Sequence, residues 1–146
     1  MILVDTNLLI YAVNRDADQH KQARRWLERA LSGAVEIGLA WIVILAFIRV
    51  TTRTGIMAKP LHYTHALAYV DSWLNQPHVE LISSGEGHWP IFRNLLSNTG
   101  SAGNLTSDVH LAAMAVEYGA EIYSADYDFR RFTGITHVNP LEKTSA

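Results

Sequence analysis

Four aspartates stand where predicted strands end or a predicted helix begins, and their carboxylates could bind a metal ion. Asp5 follows the apolar run Ile2-Leu3-Val4, which is typical of a buried central strand. Asp108 falls in the first turn of a predicted helix, and Asp126 and Asp128 follow a short predicted strand. In an open α/β fold, the carboxyl ends of strands and the amino ends of the following helices share one edge of the sheet. The sequence therefore predicts that these carboxylates converge.

Converging carboxylates repel one another unless a cation holds them together, and oxygen ligands without cysteine favour Mg²⁺ or Mn²⁺ over zinc. Such an ion suits the hydrolysis of phosphate esters, because it lowers the pKa of a bound water and stabilises charge on the phosphate. Each acid also has an ordinary structural explanation. Asp108 complements the helix dipole, and the other three are suited to turns or helix caps. Only their predicted convergence favours a site.

Predicted strands alternate with predicted helices along the whole chain. The predicted strands lie at 2–4, 36–40, 79–82, just before Asp126, and at 136–138. The predicted helices lie at 8–13, from 16 or 18 to 31, at 41–54, at 64–74, at 88–97 and from the region of Asp108 onward. A single helical turn is predicted at 129–132. This order predicts one α/β domain with a mostly parallel sheet and helices on both faces.

Length and composition are those of one ordinary globular domain. The chain has 146 residues, a net charge of −2 and no cysteine, which excludes thiol chemistry and cysteine-bound zinc. No signal peptide is recognised, and the apolar run 37–50 is too short to span a bilayer. We expect a cytoplasmic protein with a domain at 1–140 and a polar, frayed tail at 141–146.

Helix 41–54 is almost wholly apolar to its middle, so we expect it to be buried on most sides, with Arg49 and Arg53 at its exposed end. We also expect the four tryptophans to pack mainly in the core. Basic residues recur every four positions on the polar side of the second helix, which indicates a solvated face more than an RNA contact. These residues are Lys21, Arg25 and Arg29.

Other chemistries are less well supported. Ser107 and His110 lack the elbow motif of a serine hydrolase, and we expect His110 to pack on its helix. His62 and His65 lack a third zinc ligand. The glycines at 100–103 lack the Gly-Lys-Ser/Thr ending of a phosphate-binding loop.

Four motifs together resemble the PIN-domain ribonucleases, most closely the VapC toxins of bacterial type II toxin–antitoxin pairs and, among them, an actinobacterial subgroup. The resemblance covers essentially the whole chain and rests on the order and spacing of the motifs. The motifs are Val4-Asp5-Thr6-Asn7, Leu45-Ala46-Phe47-Ile48-Arg49-Val50, the segment from Gly103 to Ala113 that contains Asp108, and Ser124-Ala125-Asp126-Tyr127-Asp128-Phe129.

The resemblance implies a three-layer α/β/α sandwich and a Mg²⁺- or Mn²⁺-dependent endoribonuclease that cuts structured RNA, most often tRNA, and leaves a 3′-hydroxyl. It also implies a cognate antitoxin that lays a segment across the active-site groove, and a homodimer. Carried over by position, Asp5, Asp108 and Asp126 are family acids and metal ligands, and Asp128 matches an additional acid. The polar positions that hold metal-bound water or neighbouring acids are Asn7 and Ser124.

One position departs from the family pattern. Most PIN nucleases have a glutamate where this chain has Ala46, and no acid lies between Glu36 and Asp71 to replace it. The subgroup that the chain most resembles also carries a small residue there, which favours a working but altered site in which Asp128 completes the ligands.

Three hypotheses remain open. The leading one is a metal-dependent endoribonuclease toxin that holds the RNA backbone with arginines near the site; the candidates are Arg49, Arg53, Arg130 and Arg131. The second is a module that keeps the fold and binds RNA or antitoxin without catalysis, which Ala46 motivates. The third and weakest is a small-molecule phosphohydrolase, suggested by the pair Asp126 and Asp128.

Overall fold

A computed structural model describes residues 1–142; the rest of the expected tail, 143–146, lies outside the described residues. Its centre is a five-stranded sheet of order β3-β2-β1-β4-β5 in which every pairing is parallel. The strands are β1 (Ile2–Val4), β2 (Ile37–Ala40), β3 (Val79–Ile82), β4 (Glu121–Tyr123) and β5 (His137–Val138). The predicted α/β class and the mostly parallel sheet are confirmed.

Within the described residues, six α-helices complete the sandwich. They are α1 (Thr6–Val13), α2 (His20–Ser32), α3 (Trp41–Thr51), α4 (Tyr63–Leu74), α5 (His88–Thr99) and α6 (Thr106–Tyr118). Short 3₁₀ turns stand at Gly103–Leu105 and Tyr127–Arg131. Helix α1 packs on α2 and α3, α3 packs on α4, and α5 packs on α6.

The central strand β1 is buried along its whole length, as its apolar run predicts. Its neighbour β2 approaches it closely at Gly38, where an added Cβ would lie 2.6 Å from a methyl carbon of Leu3 and 2.9 Å from one of Ile82. A larger residue at position 38 would therefore push side chains out of the core. This packing fixes β1 in the middle of the sheet, with Asp5 at its carboxyl end.

Tryptophans divide between the core and the surface. Trp26 stacks on Tyr123, and Trp73 meets the edge of Phe47 with 4.9 Å between ring centroids. Trp41 and Trp89, in contrast, are 51% and 65% exposed. The expectation that tryptophans serve mainly in the core is thus right for two of the four and wrong for the other two.

Helix α3 is shorter and more exposed than its sequence predicts. It ends at Thr51, where the hydroxyls of Thr51 and Thr52 donate to the main-chain carbonyls four residues earlier. Arg53 therefore lies beyond the helix. Leu45 is 56% exposed, so the expectation of burial on most sides is wrong for the face that carries Trp41 and Leu45. Arg49, one turn after Leu45, marks the end of this face, but a single charged residue does not show which apolar residues before it are exposed.

Helix α2 starts at His20, later than the predicted 16 or 18, because residues 14–19 form turns instead. Within residues 1–142, no helix has the length and apolar character needed to cross a bilayer.

Candidate metal centre

Asp5 ends β1 and caps α1. Its backbone is extended, and its carboxylate accepts a hydrogen bond from the main-chain N–H of Thr6 at 2.8 Å. The helix thus begins at Thr6, two residues before the predicted start at residue 8, with Asp5 as its cap. Burial raises the pKa of Asp5 above its ordinary value, and hydrogen bonds from Ser124 and Thr6 offset part of that rise.

Ser124, the residue after β4, joins Asp5 to the loop that carries the later acids. Its buried hydroxyl donates to Asp5 at 2.6 Å and accepts from the main-chain N–H of Asp126 at 2.9 Å. It also accepts from the side-chain amide of Asn7 at 3.2 Å, while the Asn7 carbonyl oxygen accepts from the N–H of Ala125. One hydroxyl thus makes three hydrogen bonds and fixes two strand ends relative to each other.

Asp126 and Asp128 share a 3₁₀ turn directly after this junction. The Asp126 carboxylate caps the turn by accepting from the N–H of Asp128 at 2.9 Å. Phe129, the residue after Asp128 and the middle of the turn, is fully buried and anchors the loop in the core after the two acids. The loop that carries both acids is therefore held by hydrogen bonds at its start and by apolar packing at its end.

Asp108 completes the acidic group from the first turn of α6. One carboxylate oxygen from each of Asp108, Asp126 and Asp128 lies within 4.8 Å of the others, close enough for one small cation to bind all three. Asp5 lies beside this trio rather than within it. Burial raises the pKa of Asp108 to about 7, and the charges of Asp5, Asp126 and Asp128 add to the rise. Such a donor set fits a hard divalent cation.

The pKa of Asp108 predicts how metal-free stability depends on pH. The folded protein holds a proton on Asp108 up to about pH 7, whereas the unfolded chain releases it near the ordinary aspartate pKa of 3.8. This group's contribution to the free energy of unfolding is therefore present at acid pH and is lost as the pH rises through about 7. With EDTA present, we expect Asp108→Asn to raise Tm relative to wild type more at about pH 8 than at about pH 5. A Tm difference that is the same at both pH values would contradict this assignment.

A cleft of about 290 Å³ opens beside the acids, between the start of α1, helix α3 and the start of α6. Asp5 and Asp108 line it together with Ala46 and Arg49. The position where the resembling family has glutamate therefore faces the candidate site, but a methyl group stands there. Ile42, Leu45 and Leu111 give the rest of this wall its apolar character.

The four arginines proposed to hold RNA occupy different surroundings. Arg49 is exposed and lines the cleft, and Arg53 is exposed beyond the end of α3. Arg131 lies 3.8 Å from Asp128 in a half-exposed ion pair. Arg130 turns toward β5, where its guanidinium packs over Tyr127 and contacts His137 and Glu142. The structure thus brings Arg49 to the cleft wall and Arg131 to the acidic turn.

The histidines do not form the alternatives weighed from the sequence. His110 bonds to His88 on α5, which in turn contacts Glu117, so the ring of His110 is committed to the packing of α5 on α6. Burial lowers the pKa of His110, and the neighbouring His88 adds to this effect. His62 caps α4 by accepting from Thr64. The residue near the site that sequence reasoning missed is His137, which contacts the main chain of Ser124.

The sequence matches the PIN domain over residues 2–135. Among curated relatives, it is 42% identical over 143 residues to ribonuclease VapC33 of Mycobacterium tuberculosis, covering 98% of this chain and 100% of the relative. It is 43% identical over 140 residues to ribonuclease VapC37 of the same organism, covering 96% and 97%. The chain therefore belongs to the PIN-domain family, among the VapC ribonucleases.

Solved structures share the fold at low sequence identity. Mycobacterium tuberculosis VapC20, described as a toxin that cleaves the sarcin–ricin loop, superposes with a TM-score of 0.70 at 17% identity over 94% of this chain and 98% of that one. The VapBC2 complex of Rickettsia felis, bound to a promoter DNA fragment, gives 0.68 at 19% identity over 95% and 98%. These likenesses support the α/β/α sandwich that the sequence motifs imply.

Proposed function

We propose that this chain is a Mg²⁺- or Mn²⁺-dependent endoribonuclease and the toxin of a type II toxin–antitoxin pair, acting on RNA in the cytoplasm. The observation that carries the proposal is the trio Asp108, Asp126 and Asp128, whose oxygens lie within 4.8 Å of one another beside a cleft at the carboxyl edge of the sheet. The names of the ribonuclease relatives, similar along nearly the whole chain, support the reaction class.

The trio would hold the ion, and Asp5 would add negative charge from the cleft wall beside Asp108. When bound, a divalent ion lowers the pKa of an attacking water and stabilises the charge that develops on the phosphate. Ser124 and Asn7 keep the acidic turn aligned with the end of β1 through their shared hydrogen bonds. Asp128 supplies the carboxylate that position 46 lacks.

Arg49 is the arginine best placed to contact the phosphate backbone of the substrate, because it lines the same cleft as Asp5 and Asp108. In this proposal, Arg53 and Arg131, which do not line the cleft, contact the RNA backbone outside it. We propose structured RNA, with tRNA first, as the substrate class. The sarcin–ricin loop, which VapC20 of similar fold cleaves, is the main competing substrate.

The proposed partner is a cognate antitoxin, because the structures of similar fold include several toxin–antitoxin complexes. A segment of the antitoxin laid over the cleft would exclude RNA from the acids. A homodimer remains a prediction from the family resemblance, and size-exclusion chromatography with light scattering would test it.

The function is best tested by mapping new RNA ends after brief induction of the toxin in cells, with an Asp126→Asn strain in parallel. We expect new ends within one class of tRNA, carrying 3′-hydroxyls, in the wild-type strain only. New ends confined to the sarcin–ricin loop would show that this loop, and not tRNA, is the substrate. Identical RNA ends in both strains would refute the assignment of the acids.

Ala46 is the observation that favours a second candidate, a PIN-fold module that binds RNA or antitoxin without cleaving. Calorimetry would separate the two: an inactive module would bind antitoxin or RNA but show no Mn²⁺ binding. We favour the enzyme because three carboxylates converge without any contribution from position 46.

Changing Ala46 to glutamate tests what that position contributes. The added carboxylate would face the cleft shared by Asp5 and Asp108, and a fourth charged ligand should tighten Mn²⁺ binding by about tenfold. Ala46→Gln, of similar size but neutral, is the matched control and should not tighten binding. The measurement is isothermal titration with Mn²⁺, and equal affinities in all three proteins would show that position 46 does not face the ion.

A further inference from the structure

The edge strand β5 contacts the acidic loop through one side chain, that of His137. Its Nε2 lies 2.9 Å from the main-chain oxygen of Ser124, and its Nδ1 lies 3.2 Å from Nε of Arg130. Ser124 is the residue whose hydroxyl joins Asp5 to the turn of the later acids. His137 therefore acts on the same residue from its main-chain side.

The pairing of β4 with β5 explains why the main-chain oxygen of Ser124 needs a side-chain donor. The register pairs Ile122 with His137 and Tyr123 with Val138, and the N–H of Ser124 donates to the oxygen of Val138. Continuing this parallel ladder, the next donor to the Ser124 oxygen would be the main-chain nitrogen of residue 140. That residue is Pro140, which has no N–H. His137 supplies the missing donor, and the Ser124 carbonyl stays paired.

Arg130 determines which nitrogen of His137 carries the hydrogen. A guanidinium N–H can only donate, so Nδ1 of the ring must accept, and the hydrogen sits on Nε2, facing Ser124. Arg130 is itself held, with its guanidinium carbon 4.4 Å from the ring centroid of Tyr127 and a terminal nitrogen 3.6 Å from Glu142. The histidine is thus presented in the tautomer that can donate to the loop.

The His137 ring is also packed against the acidic turn. It stacks on Phe129 with 6.1 Å between centroids and meets the edge of Tyr127 at 5.8 Å. Tyr127 lies between the two acids of the turn, and Phe129 follows them. One ring on β5 therefore contacts the loop before, between and after Asp126 and Asp128.

We propose that His137 is a positioning residue for the metal site: it acts through Ser124 and the 3₁₀ turn, with Arg130 fixing its tautomer. The inference rests on the proposed metal-binding function of the trio. It also gives Arg130 a role within the protein that is different from holding RNA. Partners one layer behind a ligand orient it, and their loss commonly costs metal affinity even where the fold persists.

The test is Mn²⁺ affinity of the full chain, measured by electron paramagnetic resonance, with thermal unfolding in EDTA as the measure of folding. We expect His137→Ala to weaken Mn²⁺ binding by about tenfold and His137→Gln to recover most of it, because the glutamine amide can donate to the Ser124 oxygen. Arg130→Gln should weaken binding by a smaller factor of about three, since the ring keeps its bond to the Ser124 oxygen but loses the guanidinium contact at Nδ1.

His78 offers a matched control. Its Nε2 contacts the main-chain oxygen of Ala30 at 3.1 Å, which is also a bond from a histidine ring to a main-chain oxygen. His78 precedes the amino end of β3, however, whereas the acids lie at the carboxyl edge of the sheet. His78→Ala should lower Tm without changing Mn²⁺ affinity. Equal Mn²⁺ affinity in wild type and His137→Ala would overturn the inference, and so would a Mn²⁺ affinity of His137→Gln no higher than that of His137→Ala. Neither result would contradict the proposed metal site itself. Absence of Mn²⁺ binding in wild type, or full binding in Asp126→Asn, would overturn the proposed function and the inference with it.

Discussion

Asp108→Asn is expected to reduce RNA cleavage by at least about 100-fold while making the metal-free protein more stable at neutral pH. The loss of activity follows because an amide oxygen binds a divalent cation more weakly than a carboxylate does. The gain in stability follows because the substitution removes a charge that the neighbouring acids and partial burial disfavour, as the pKa of about 7 indicates. Opposite effects on activity and stability are the signature of a residue kept for function.

The measurement is a single-turnover cleavage assay with Mg²⁺ and Mn²⁺ on an RNA identified by end mapping, together with Tm in EDTA. Asp71→Asn is the control, since Asp71 is an exposed aspartate on α4. It should leave both quantities unchanged within error. Cleavage by Asp108→Asn at the wild-type rate would remove Asp108 from the site, and a fall in Tm in EDTA would contradict the electrostatic explanation.

Ser124→Ala is the second substitution with a large expected effect. It removes the hydroxyl that serves Asp5, the N–H of Asp126 and the amide of Asn7, and it leaves these half-buried groups without their partner. Loss of such a partner costs about 1–3 kcal/mol. Because the same bonds align the acidic turn, Mn²⁺ affinity should also fall by about 10- to 100-fold.

Thr51→Val separates these two effects. Thr51 is also a fully buried hydroxyl, but its bond goes to the Phe47 carbonyl within α3. The variant should lose about 1 kcal/mol of stability, judged by urea denaturation, and keep its Mn²⁺ affinity. If Ser124→Ala lost stability but bound Mn²⁺ like wild type, Ser124 would be a structural residue only.

Sequence periodicity predicted most elements correctly, because burial and turn chemistry are local properties of these segments. The apolar run of β1, the strand at 79–82 and the parallel alternation are all confirmed. Boundaries were less reliable: α3 ends at Thr51 and not at residue 54, since the N–H of Arg53 turns to the Val50 oxygen instead of continuing the helix, a choice that composition does not reveal. The exposed Trp41 and Trp89 could not be predicted, because periodicity reports which residues are apolar and not what covers them.

By itself the sequence determined the fold class, the family and the four aspartates that are candidates for the proposed site. Each follows from a local pattern: an acid after an apolar run, in a first helical turn, or in a capped loop. Only the tertiary structure decided that Asp108, Asp126 and Asp128 lie together while Asp5 lies beside them. It also decided that Ala46 faces the cleft and that His137 replaces the donor Pro140 lacks. These contacts join residues that are far apart in the chain. Strand register and helix packing determine the distances between them to within a few ångströms, and a local sequence pattern does not predict such distances.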